Sequence, residues 1–103
     1  CLLSRGLGDV YKRQFTSSTQ EHIELLKKYL QEKQWKAIGL LAHKMLPLFR
    51  QLEVKEVITS LQQLEHSDKN PLSEKQSEER VRQVIDLSEK LIRTLQNQMD
   101  NNL

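Results

Sequence analysis

From Val81 to Met99 the chain keeps one rhythm: each of Val81, Val84, Ile85, Ser88, Leu91, Ile92, Leu95 and Met99 has another of the set three or four residues away. At 3.6 residues per turn this spacing gathers them on one stripe of a helix. Helical stability in a folded protein comes mostly from covering such a stripe. The same rhythm returns in Ile23, Leu26, Tyr29 and Leu30, in Ala37, Ile38, Leu41, Met45, Leu48, Phe49 and Leu52, and in Val54, Val57, Ile58, Leu61 and Leu64. None of these segments is apolar all round, so the stripes must meet at a shared centre. Short connections then make sequential helices antiparallel neighbours. The pattern predicts an all-α fold, an antiparallel up-down four-helix bundle.

The ends of the helices are unevenly marked. Ser18-Thr19-Gln20-Glu21 fits a capping box and predicts a helix start near residue 18. Gln31-Glu32-Lys33-Gln34 holds neither Gly nor Pro, so periodicity alone tolerates a continuous helix through it. Around Gln51 to Val54 the apolar phase resets, again without a strong breaker. Ser67-Asp68-Lys69-Asn70-Pro71-Leu72-Ser73 is the clearest loop. Beyond it, Ser73-x-x-Gln76 or Ser77 can cap a last helix over about 74–100, fraying through Asn101, Asn102 and Leu103. Residues 74–80 form a charged run that reads as a solvated first turn.

Residues 1–14 do not share the pattern. They contain two of the three glycines, and their apolar residues fit no period. They resemble a translated sequencing-adapter read-through. The expectation is an extraneous, irregular leader, a fold occupying 15–103, and a natural N-terminus that lies elsewhere in a longer protein. The charge balance agrees with that division. Arg5, Lys12 and Arg13 against Asp9 account for the whole net charge of +2. The body is electrically balanced and gives no basis for nucleic-acid binding. The single cysteine, Cys1, also lies in the leader, so the body has neither a disulfide framework nor a thiolate metal site. No apolar run reaches the length needed to span a bilayer, so no membrane contact is expected of this domain.

One helix carries an unusual polar face. With residues 35–52 at 100° per residue, His43 projects opposite the apolar set. Around it lie Lys36, Gly39, Leu40, Lys44, Leu46, Pro47 and Arg50. A titratable imidazole stands beside a missing side chain, between apolar residues and among cations. Pro47 cannot donate to the carbonyl of His43, and a bend is expected there. An imidazole titrates close to neutral pH, so its neutral form offers one ring nitrogen as a nucleophile. His22 and His66 sit among polar neighbours on other helices and read as solvent-exposed. The three histidines form no i, i+4 pair, so no metal site is expected. Trp35 reads as core or boundary packing. Nothing supports Ser/His/Asp catalysis.

The run Leu41-Ala42-His43-Lys44-Met45-Leu46-Pro47-Leu48-Phe49-Arg50, with Trp35 eight residues before the His, resembles the histidine-containing phosphotransfer (HPt) domains, over roughly residues 18–100. These are four-helix modules of multistep phosphorelays, often fused to the C-terminus of hybrid sensor histidine kinases. The resemblance implies a turn before Trp35, and so helices at about 18–32, 35–51, 54–66 and 74–100. It implies that His43 accepts a phosphoryl group through Nε2 from the aspartate of one receiver domain and passes it to another. Lys36, Gly39, Leu40, Lys44, Leu46, Pro47 and Arg50 would then serve receiver docking or phosphoryl stabilisation, with Gly39 admitting the receiver. It further implies a carrier and not an enzyme, no cofactor of its own, Mg²⁺ supplied by the partner receiver, and a cytoplasmic location. The family commonly has Lys three residues after the His, Gly four after it and Gly about ten after it. Here those positions are Leu46, Pro47 and Glu53. A second reading is a non-phosphorylated helical interaction module that binds a protein by shape through the Gly39/His43/Pro47 face.

Overall fold

A computed structural model describes residues 8–100. Four helices follow in order: α1 (Asp9–Gln31), α2 (Trp35–Leu52), α3 (Lys55–Glu65) and α4 (Glu74–Asp100). Each packs mainly on two others, in the cycle α1–α2–α3–α4–α1. Lys27 of α1 reaches Glu89 of α4, while Lys33, just past α1, reaches Glu74 at the start of α4. Later residues of one helix meet earlier residues of the other, so α1 and α4 are antiparallel. This is the up-down four-helix bundle expected from the apolar stripes.

The centre is built from those stripes. Leu26 of α1, Ile38, Met45, Phe49 and Leu52 of α2, Val57 and Leu61 of α3, and Val81, Val84 and Leu95 of α4 are all essentially inaccessible to water. They form one cluster. Burying an aliphatic or aromatic side chain of this size contributes roughly 1.5–3 kcal/mol relative to exposure.

The first helix begins earlier than the sequence suggests. It starts at Asp9, so Ser18 to Glu21 lie inside it and form no capping box. Thr19 is fully buried. Phe15 is a core residue, its ring edge-on to Phe49 with centroids 5.3 Å apart. That burial outweighs the weak propensity of the Thr16-Ser17-Ser18-Thr19 run. Six residues assigned to the leader, Asp9 to Gln14, are therefore helical. Residues 1–7, with Cys1, lie outside the described residues, as do Asn101 to Leu103.

Both inconspicuous turns are closed by the same backbone device. After α1, Gln34 N–H donates to the Tyr29 carbonyl and Lys33 N–H to that of Leu30. After α2, Val54 N–H donates to Phe49 and Glu53 N–H to Arg50. This is the Schellman pattern, which needs a left-handed residue, usually Gly. Here Lys33 (φ 55°) and Glu53 (φ 58°) fill that position. The third connection is marked as the sequence suggests. Ser73 Oγ accepts from Gln76 N–H, and Gln76 Oε1 accepts from Ser73 N–H, a reciprocal capping box at the start of α4.

Candidate functional site

The site sits where the shortest helix ends. α3 has 11 residues against 18 in α2. Its last turn comes down beside Gly39, so the first turn of α2 runs on past it. The resulting open hollow of about 680 Å³ is lined by Trp35, Lys36, Gly39, Leu40 and His43 of α2, Glu65 of α3, and Ser67 and Asp68 of the loop.

Gly39 makes this approach possible. A Cβ at residue 39 would stand 3.2 Å from the Leu64 carbonyl oxygen and 3.8 Å from that of Glu65. The space of the missing side chain is taken up by the backbone at the end of α3, while Gly39 itself still lines the hollow. Its effect on the site is indirect: it sets how close the end of α3 comes to α2.

That close approach brings in a residue the sequence did not single out. Glu65 Oε1 lies 2.5 Å from His43 Nδ1. The His43 side chain is 72% exposed, while Glu65 is only 19% exposed. The carboxylate is thus partly withdrawn from water and the ring stands in it. A carboxylate can only accept, so a neutral His43 that pairs with it carries its proton on Nδ1 and leaves Nε2 as the bare lone pair. Nε2 makes no hydrogen bond among the described residues. The second carboxylate oxygen, Oε2, lies 3.8 Å from Nε2 of His66. Twenty-two positions separate His43 from Glu65, and only the antiparallel pairing of α2 with α3 unites them.

The other candidates divide by side. On a helix, Leu40 and Leu46 lie about 60° to either side of His43. α3 covers one side and leaves the other open. Leu46 is therefore 1% exposed and belongs to the core, which removes it from the docking face. Leu40 is 67% exposed, the largest apolar group left open on α2. Lys36, Lys44, Pro47 and Arg50 are exposed, and Gly39 is half-covered. α2 runs as helix through Pro47 without interruption.

His22 departs from its reading as a solvent-exposed residue. It is half-buried on α1, and its Nδ1 is out of reach of water without a partner. Burial lowers its pKa from the usual histidine value; the Lys44 ammonium lowers it further, against an opposing pull from Glu21. His66 is exposed, as expected. Among the described residues, no three His, Cys, Asp or Glu side chains are placed to hold a metal ion. No helix among them is long and apolar enough to cross a membrane.

No protein-family model matches this chain, and neither a curated protein nor a solved structure does.

Proposed function

We propose that this chain is a histidine phosphotransfer module of a multistep phosphorelay, with His43 as phospho-acceptor. The observation that carries the reading is the His43–Glu65 pair: an imidazole open to water, held at Nδ1 by a half-sunk carboxylate, with Nε2 pointing the chemistry outward. The resemblance of the Ala42-His43-Lys44 run to HPt domains supports it independently.

In this reading a receiver domain bearing an aspartyl phosphate docks over Leu40, Pro47 and the hollow. The Nε2 lone pair of neutral His43 attacks phosphorus. The N–P bond forms as the P–O bond to the aspartate breaks, and that electron pair returns to the carboxylate. The Nδ1 proton stays in place, and the positive charge the ring acquires faces Glu65. The reverse sequence delivers the group to a second receiver. Lys44 and Lys36, with Arg50 further along α2, are the cations available to the phosphoryl group; position 46, where the family commonly has Lys, is buried leucine here. Mg²⁺ belongs to the receiver. The protein is then a carrier, cytoplasmic, and a module of a hybrid histidine kinase.

The test is transfer from a phosphorylated receiver with Mg²⁺, followed by intact mass and acid lability. Transfer lost in His43→Gln and kept in His22→Gln and His66→Gln is the expected result. Replacing Glu65 by Gln lets an amide donate to Nδ1, favouring the tautomer with a blocked Nε2. Transfer should then slow by about tenfold or more, the size of a lost charge-assisted hydrogen bond. Stable binding of receivers with no transfer would instead favour the interaction module, for which the exposed Leu40 beside an open hollow is the supporting observation.

A further inference from the structure

Glu65 has two carboxylate oxygens and an imidazole beside each. Oε1 meets His43 Nδ1 at 2.5 Å, and Oε2 meets His66 Nε2 at 3.8 Å. The first contact is a hydrogen bond. The second is too long for one but within range of an ion pair. We infer that His66 is a positioning residue that acts on His43 through this shared carboxylate, so that the charge on His66 sets how strongly His43 holds a phosphoryl group. This rests on the phosphotransfer reading of His43.

The physical reasoning needs only charge. A phosphoryl group on Nε2 leaves the ring with its Nδ1 proton and a positive charge, which the Glu65 carboxylate stabilises. A protonated His66 draws on the same carboxylate and adds a second cation beside the ring. Both effects disfavour phospho-His43 relative to the receiver's aspartyl phosphate. No atoms beyond those of the transfer are involved: the N–P bond breaks, the P–O bond to aspartate re-forms, and the proton remains on Nδ1. Acidification through His66 therefore shifts phosphoryl groups from this module to its receiver.

Other charged groups lie around the pair. From α2 the hollow presents Lys36 and His43, and from the loop Asp68. On the far side, His66 borders a second hollow lined by Thr59, Gln62, Gln63, Asn70, Leu72 and Gln76, with no ionisable group among them. His66 caps α3 through its backbone N–H, and its side chain is 53% exposed. Replacing that side chain leaves the cap intact.

The experiment follows the ring nitrogens of His43 by ¹⁵N NMR in the full chain. Wild type, His66→Gln, His66→Lys and Glu65→Gln are compared between about pH 5.5 and about pH 8. The expected result is a shift in the His43 proton equilibrium of roughly two- to five-fold on removing His66, the size of an exposed ion pair's coupling. It should shrink in a Glu65→Gln background, where only the direct repulsion between the two rings remains. His66→Lys should hold His43 in its acid-side behaviour at every pH. The same variants in the transfer assay should show phospho-His43 more retained in His66→Gln at acid pH, and less retained in His66→Lys at alkaline pH. An unchanged His43 titration in His66→Gln, or an equal effect with and without Glu65, overturns the inference while leaving transfer itself intact. Absence of transfer to wild-type His43 overturns the phosphotransfer reading instead, and the NMR comparison still decides the coupling.

Discussion

Replacing Gly39 by alanine sets two effects of opposite sign against each other. Alanine gains about 1 kcal/mol over glycine in a helix interior. Its Cβ, however, would meet the Leu64 carbonyl oxygen at 3.2 Å and the Glu65 carbonyl at 3.8 Å. The first contact is too tight, and the obstacle is backbone, not the free end of a side chain. That carbonyl is also held in place, since it accepts from Ser67 Oγ at 3.0 Å. Over-packing of this kind costs about 1–3 kcal/mol. The net expectation is a loss of about 1 kcal/mol, or a fall in Tm of roughly 4–8 °C for a domain of this size. Pushing the end of α3 outward by a few tenths of an ångström also lengthens the 2.5 Å contact between Glu65 and His43. Thermal denaturation followed by circular dichroism reads the first effect, and NMR of the His43 ring nitrogens reads the second. A gain of about 1 kcal/mol, as propensity alone dictates, with an unchanged His43 ring would refute the idea that Gly39 sets the α2–α3 distance.

Three further outcomes follow from the backbone and from His22. Glu53→Gly should raise stability by roughly 0.5–1 kcal/mol, because Glu53 occupies a left-handed position at φ 58° that glycine fills without a Cβ penalty; urea denaturation checks it, and a loss of stability counts against the strain. Pro47→Ala restores an amide that can donate to the His43 carbonyl in an uninterrupted helix, so stability should rise by about 1–3 kcal/mol and hydrogen exchange should find a newly protected amide at residue 47; a fast-exchanging amide there contradicts the argument. Because burial and Lys44 lower the His22 pKa from 6.5, the folded chain binds fewer protons than the unfolded one between that lowered value and 6.5, and stability is lost as pH falls through this window. Denaturant midpoints at neutral and acid pH should therefore lie closer together in His22→Gln, and an unchanged pH slope would count against the buried, neutral ring.

The bundle was legible because burial leaves a period. Stripes such as Val81, Val84, Leu91 and Leu95 turned up on the inside, and Ser73 with Gln76 capped α4 as their spacing suggested. The turns at Lys33 and Glu53 were not legible from composition, since the Schellman bonds that close them are made by backbone and the usual glycine is absent. Ser18 to Glu21 carried a genuine start signal, but Phe15 and the buried Thr19 lie within a helix that begins at Asp9; packing outweighed the local cue. In the site, the exposure of His43 followed from its angle to the apolar face. The burial of Leu46 did not, because it depends on which flank α3 covers. Glu65 could not be paired with His43 without knowing the register between two helices, and nothing in the sequence shows that the end of α3 packs against Gly39.

The most direct test asks which nitrogen takes the phosphoryl group. Chain labelled with ¹⁵N in its histidine rings is phosphorylated by a receiver and Mg²⁺, and the ¹⁵N–³¹P coupling is measured without acidification. Coupling at Nε2 of His43, with the Nδ1 proton retained beside Glu65, is the expected result. Coupling at Nδ1, on His22 or His66, or nowhere in the chain would contradict a nucleophile oriented by Glu65.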